Sequence, residues 1–98
     1  MMKTIMVRYK TTSPENADKN AALVRGVFEE LHARAPGGIR YTSYRAEDGV
    51  SFVHIATHEG PSTALTELPA FKEFQREIKS RCAEAPVVTE LSAVGSYG

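Results

Sequence analysis

Three features of the sequence predict an α+β fold in which a strand, a helix, two strands, a second helix and a last strand follow one another. Two stretches carry apolar residues at the three- and four-residue spacing of helices. Four shorter ones alternate or are rich in β-formers, and the middle two flank a short polar turn. These elements fill all 98 residues, so residues 1–98 make a single domain.

Residues 3 to 10 form the first strand, with Ile5, Val7 and Tyr9 on one face and Met6, Arg8 and Lys10 on the other. Ser13 followed by Pro14 predicts a helix start: the serine caps free backbone N–H groups, and proline at the first helical position loses nothing by lacking one. Ala17, Ala21, Val24, Phe28, Leu31 and Ala35 then recur at spacings of three or four, with Leu23 and Val27 widening the stripe. Pro36-Gly37-Gly38 ends this helix. Residues 39 to 45 and 51 to 58 are rich in aromatic and β-branched types, and form a hairpin around Ala46-Glu47-Asp48-Gly49. With Gly49 in the left-handed position of a three-residue loop, Ala46 opposes Val50, so Tyr44 faces Phe52, Thr42 faces His54 and Arg40 faces Ala56. A slip of one residue would instead place Ile39, Tyr41 and Ser43 on the face of Phe52 and His54.

Gly60-Pro61-Ser62 closes the third strand, and a short turn precedes Pro69. From there Phe71, Phe74, Ile78, Cys82 and Ala85 fall on one stripe of a helix that stops before Pro86. Val87, Thr89, Leu91 and Ala93 alternate with Val88, Glu90, Ser92 and Val94 as the final strand.

Composition excludes several function classes. Lys plus Arg and Asp plus Glu number 12 each, so no long-range field draws the chain to nucleic acid or to an acidic membrane surface. No apolar run approaches the roughly 20 residues of a membrane span, and the N-terminal apolar run is broken by Arg8 and Lys10 before it reaches signal-peptide length. The single cysteine, Cys82, offers neither an internal disulfide nor a paired-cysteine metal site, which fits a reducing, cytoplasmic setting. On the second helix it behaves as a small hydrophobe.

Strand, helix, strand, strand, helix, strand is the ferredoxin-like plan: a four-stranded antiparallel sheet with both helices on one face and the other face bare. Val53 and Ile55 suit the helix side, which leaves Phe52, His54 and Ala56 on the bare side. An exposed apolar face of this kind marks an interface or a ligand groove. Two copies packed sheet to sheet would cover it and relieve the limited burial of so short a chain. The expected assembly is therefore a homodimer through the open sheet face, a dimeric α/β barrel.

The chain resembles the dimeric α/β-barrel proteins of the antibiotic biosynthesis monooxygenase type, most closely their uncharacterised bacterial members. The resemblance is carried by Pro36-Gly37-Gly38-Ile39-Arg40-Tyr41, Phe52-Val53-His54-Ile55, Leu68-Pro69-Ala70-Phe71-Lys72-Glu73-Phe74 and the closing Val94-Gly95-Ser96-Tyr97. It implies a protein without a bound cofactor. Some members oxidise polycyclic aromatic substrates with oxygen and neither metal nor flavin, others degrade haem, and several have no assigned activity. The haem-degrading members use an Asn, a Trp and a His. This chain has no Trp, His58 stands about where that Trp is often found, and its asparagines, Asn16 and Asn20, lie on the first helix. Ala70 occupies a place where the group often has a histidine.

The candidate catalytic residues are His54 and His58, because imidazole titrates near neutral pH and serves as a general base. They lie about 13 Å apart on one strand face at ~3.3 Å per residue, too far to share a metal ion. Arg40 and Tyr44, with Phe52 and with Arg8 on the first strand, are the candidate ligand-binding set: the guanidinium fork suits a carboxylate or phenolate, and the phenol can donate to a ligand oxygen. Each has a structural alternative, as a satisfied buried histidine or as an interface contact. Tyr41 is expected in the core under the helices and His32 on the surface. Two readings of function follow: a cofactor-independent monooxygenase acting on an aromatic or apolar metabolite, or a non-catalytic small-molecule-binding or stress-associated dimer.

Overall fold

The structure, a computed structural model, describes residues 2–59 and 63–97. Strand β1 (Met2–Thr11) leads into helix α1 (Pro14–Arg34), which opens as expected: the Asn16 N–H donates to Ser13 Oγ at 3.1 Å. Ala35 ends the helix in the left-handed conformation and donates its N–H to the Leu31 carbonyl. Strands β2 (Ile39–Arg45) and β3 (Ser51–Glu59) form the hairpin. Three short helices follow, α2 (Thr63–Thr66), α3 (Pro69–Gln75) and α4 (Ile78–Arg81), and β4 (Cys82–Leu91) closes the chain. The strands pair antiparallel in the order β2-β3-β1-β4. This is the ferredoxin-like α+β fold, with the helices on one face of the sheet. The expected stop at Gly60-Pro61-Ser62 lies outside the described residues.

The hairpin corrects the expected register by one residue. Arg45 opposes Phe52, Tyr44 opposes Val53 and Ser43 opposes His54. The cause is Asp48. Its carboxylate accepts the N–H groups of Val50 and Ser51 at 2.9 and 2.8 Å and the Ser51 hydroxyl. Val50 is thereby taken out of the ladder, and the Ala46 N–H pairs with the Ser51 carbonyl instead. Gly49 still has its positive φ, at 79°, inside a loop one residue longer. Because side chains alternate, that slip puts Tyr41 and Ser43, in place of Arg40 and Tyr44, on the face of Phe52 and His54, and burial shows that this face is the covered one and not the bare one. Phe52, His54, Ala56 and His58 lie under the helices and are buried, as is Tyr9 on β1, with Tyr41 and Ser43 of β2 half-buried beside them. Arg40 and Tyr44 do not share a face with Phe52 and His54. They lie on the uncovered side with Arg8, Met6, Val53 and Ile55.

The second correction concerns the long helix expected from Pro69 to Ala85. It ends at Gln75; Arg76 is extended and Glu77 sits at φ 59°, so α4 is a separate turn. Cys82 to Ala85 are strand, not helix. Pro86 does not prevent this, because β4 is an edge strand and its register against β1 shifts between Arg8 and Lys10, where a missing donor is tolerated. The core lies between sheet and helices and is rich in aromatic rings: Tyr9, Phe52, Phe71 and Phe74 with Val24, Val27, Leu65 and Leu68.

Candidate functional site

Tyr9, Tyr41 and His54 are inward residues of three adjacent strands, and the sheet brings their rings together. His54 lies nearly parallel to Tyr9 and Tyr41, with centroids at 5.3 and 5.8 Å, and Phe74 of α3 leans over it at 5.4 Å. Both imidazole nitrogens are engaged. Tyr9 Oη stands 2.7 Å from Nε2, while Ser43 Oγ and Tyr41 Oη stand 2.6 and 2.9 Å from Nδ1.

Behind Tyr9 the row continues into the helices. Asn20, fully buried on α1, donates from Nδ2 to Tyr9 Oη at 2.7 Å. Its Oδ1 accepts from Arg81 Nε and Nη2, both at 3.3 Å. Arg81 is itself buried and donates to the carbonyls of Phe74 and Arg76 at 2.6 and 3.1 Å. These carbonyls are left over where α3 ends, and a cation suits such an end. Among the described residues no carboxylate pairs with Arg81, so three neutral oxygens and the Phe74 face, 5.8 Å away, hold its charge.

Directions follow from the donors. Arg81 can only donate, which fixes the Asn20 amide with Oδ1 towards it and Nδ2 towards Tyr9. A phenol that accepts from Asn20 spends its own hydrogen on His54 Nε2, and a neutral imidazole must then carry its hydrogen on Nδ1, on the Ser43 side. Burial keeps the imidazole neutral, pushing its pKa from 6.5 down to about 4. Burial also pushes the Tyr9 phenol well above its usual range, partly offset by the Asn20 hydrogen bond, and raises Tyr41 to about 12, offset by Ser43.

This polar group forms one end of a cavity of about 330 Å³ between the sheet and α2–α4. Ile5, Val7, Ala56, Leu65, Phe71, Phe74, Ile78 and Val88 supply apolar walls, and Tyr9, Tyr41 and His54 the polar end. A few convergent polar groups in an apolar hollow are the usual composition of a small-molecule site. Both imidazole nitrogens that border this cavity are already met by hydroxyls, Nε2 by Tyr9 and Nδ1 by Ser43 and Tyr41. Among the described residues no cluster of three His, Cys, Asp or Glu side chains is placed to hold a metal ion.

Of the residues singled out from the sequence, only His54 lines this cavity. Phe52 is buried two residues away, stacked on Tyr9 at 5.5 Å with the Arg45 guanidinium over its other side. His58 is buried further along β3, opposite Ile39 and Lys3. Arg8, Arg40 and Tyr44 are exposed on the far face of the sheet. Five site residues escaped notice: Tyr9, Asn20, Tyr41 as a hydrogen-bonding group, Ser43 and Arg81. Asn20 did leave a signal, because it stands three after Ala17 and four before Val24 on the apolar stripe of α1, where a polar side chain must find a buried partner.

No family model matches the chain, and no curated protein does. Solved structures do. Rv0793 from Mycobacterium tuberculosis superposes with a TM-score of 0.77 at 17% identity, covering 100% of both chains. A protein from Nitrosomonas europaea, provisionally named an antibiotic biosynthesis monooxygenase, gives 0.78 at 16% identity over 99% of this chain and 94% of its own. A mutant of SnoaB from Streptomyces nogalater, a cofactor-independent oxygenase, gives 0.63 at 20% identity over 97% and 95%. At such identities the likeness is one of architecture: the chain has the ferredoxin-like fold of antibiotic biosynthesis monooxygenase-type structures.

Proposed function

We propose that the chain binds a hydroxylated aromatic metabolite in the cavity beside His54 and oxidises it with dioxygen, without a metal or organic cofactor. The observation that carries this reading is the composition of the cavity, an aromatic and aliphatic hollow with two phenols and a neutral imidazole at one end. A phenol seated with its hydroxyl towards Tyr9 and Tyr41 can lose its proton there, and the electron-rich anion can reduce dioxygen directly. The balance is phenol plus O2 giving a quinone plus water, with the ring C–H and the O–H lost and one oxygen atom retained. The fold shared with SnoaB supports the same chemistry. Of the candidates read from the sequence, His54 is the proton-transfer group, and His58 has no place in the reaction.

The cavity volume favours small ring systems over extended ones, since a specific pocket buries most of its ligand's surface. 2-Naphthol should raise the melting temperature in proportion to the logarithm of its concentration, and the mixture should consume oxygen. Binding without oxygen consumption would leave the second reading, a non-catalytic binding protein, which the complete satisfaction of both His54 nitrogens favours. No shift with any phenol or quinol would sink both. The uncovered sheet face, with Val53, Ile55, Met6 and the exposed Tyr44 and Val87, takes a second copy of the chain in this proposal. Arg8 and Arg40 then belong to the interface and not to the ligand.

A further inference from the structure

We propose that Ser43 is the proton exit of the cavity, so that Tyr9, His54 and Ser43 pass a ligand's hydroxyl proton out to a groove on the α1 side of the hairpin, while Arg81 and Asn20 close the other end of the row. The proposal rests on the reading of the cavity as a site for hydroxylated ligands.

Ser43 Oγ touches His54 Nδ1 at 2.6 Å, and Ser43 also lines a separate open groove of about 250 Å³ beside Val24, Arg25 and Phe28 of α1. Its hydroxyl therefore stands between the buried imidazole and solvent. Tyr41, the other hydroxyl at Nδ1, lines both the cavity and an open groove of about 290 Å³ beside Phe28 and Leu31, so a proton given to it can return to the ligand; Ser43 is nearer, at 2.6 against 2.9 Å, and does not line the cavity.

Arg81 cannot accept a proton, and the Asn20 amide it orients presents only N–H to Tyr9. The row is closed at that end and open at Ser43. The ligand O–H bond breaks and its proton goes to Tyr9 Oη; the Tyr9 hydrogen moves to His54 Nε2; the Nδ1 hydrogen moves to Ser43 Oγ; the Ser43 hydrogen leaves to water in the groove. The imidazole is left with its hydrogen on Nε2. A proton entering along the reverse path, needed when water forms from the reduced oxygen, restores the starting tautomer.

The row can be read without a substrate, by 15N NMR of the histidine side chains in the intact protein. The resting imidazole should carry its hydrogen on Nδ1. Asn20→Asp, which keeps the shape and adds a charge partner for Arg81, should make position 20 an acceptor, reverse the Tyr9 hydroxyl and move the His54 hydrogen to Nε2. Ser43→Ala should slow exchange of the Nδ1 hydrogen with water by about a hundredfold, the low end of what a positioned proton-transfer group contributes. Ser43→Thr should restore it, and Tyr41→Phe should leave it unchanged. Hydrogen on Nε2 in the wild type, an unmoved tautomer in Asn20→Asp, or slowing by Tyr41→Phe in place of Ser43→Ala would each overturn the proposal. The titration of wild type with 2-naphthol is separate: failure to bind overturns the cavity reading and the ligand end of the row, whereas the tautomer and exchange rate decide the row itself.

Discussion

The burial of His54 has a thermodynamic signature that needs no knowledge of the ligand. In the unfolded chain the imidazole titrates near 6.5, and in the folded protein at about 4. Between those values the unfolded state binds a proton that the folded state refuses, so stability is complete above pH 6.5, falls as the pH drops towards 4, and is flat below. A difference of that size, at roughly 1.4 kcal/mol per pH unit, corresponds to about 3 kcal/mol in full, of which about 2.5 kcal/mol is lost by pH 4.5. That is a large share of the roughly 5–15 kcal/mol available to an ordinary domain. The perturbation is His54→Gln, whose amide can accept from Tyr9 and donate towards Ser43 but does not titrate. Urea unfolding of both proteins at pH 7 and pH 4.5 should show the wild type losing about 2–3 kcal/mol more than the variant, the subtraction removing every other titrating group. A difference below about 1 kcal/mol would mean that the imidazole is hydrated or paired with an anion in the folded state, and not buried neutral.

Two further outcomes are expected. Asp48→Ala should lower the melting temperature and loosen the hairpin register, seen as weakened contacts between Arg45 and Phe52 in NMR; since three hydrogen bonds hold that carboxyl down to about 2, its contribution is present above pH 3.8 and disappears as pH falls through 2. The proposed packing of two copies through the open sheet face predicts a dimer in sedimentation at micromolar concentration for the wild type and a monomer for Val53→Glu, which places a charge in the middle of that face, with the His54 tautomer unchanged; a dimer that survives the substitution would move the interface elsewhere.

The order of elements was legible because it rests on local signals: Ser13-Pro14 at the start of α1, the alternation of Ile5, Val7 and Tyr9, and the turn at Asp48-Gly49. The faces of the hairpin were not. Whether Val50 belongs to the ladder or the loop is decided by one carboxylate that accepts two backbone N–H groups, and a pattern in which both strand faces carry apolar residues cannot arbitrate. In the observed register Arg40 and Tyr44 lie away from His54, Tyr41 lines the cavity, and Ser43 meets the imidazole from the groove side. The end of α3 was hidden for a different reason. Phe71, Phe74 and Ile78 keep helical spacing across the break, and only Arg81, which reads as a solvated charge, shows why the chain turns inward there.

The break in the second helix and the orientation of His54 meet at one side chain, Arg81. Ending α3 at Gln75 leaves carbonyls that no following N–H can reach, and the backbone at Glu77 takes a left-handed conformation unfavourable for a residue with a Cβ. The Arg81 guanidinium compensates by donating to Phe74 and Arg76, and this draws the charge inside the protein, where its remaining donors must be met. Asn20 meets them, and its amide is thereby oriented. Tyr9 is oriented by Asn20, and the imidazole by Tyr9. A substitution that repaired the helix, replacing Glu77 by glycine to relieve the positive φ, could stabilise the fold without touching the row. One that removed Arg81 would release the α3 end and free the Asn20 amide to flip at the same time. Fold and site therefore share this residue, and a variant at Arg81 should lose stability and the fixed His54 tautomer together.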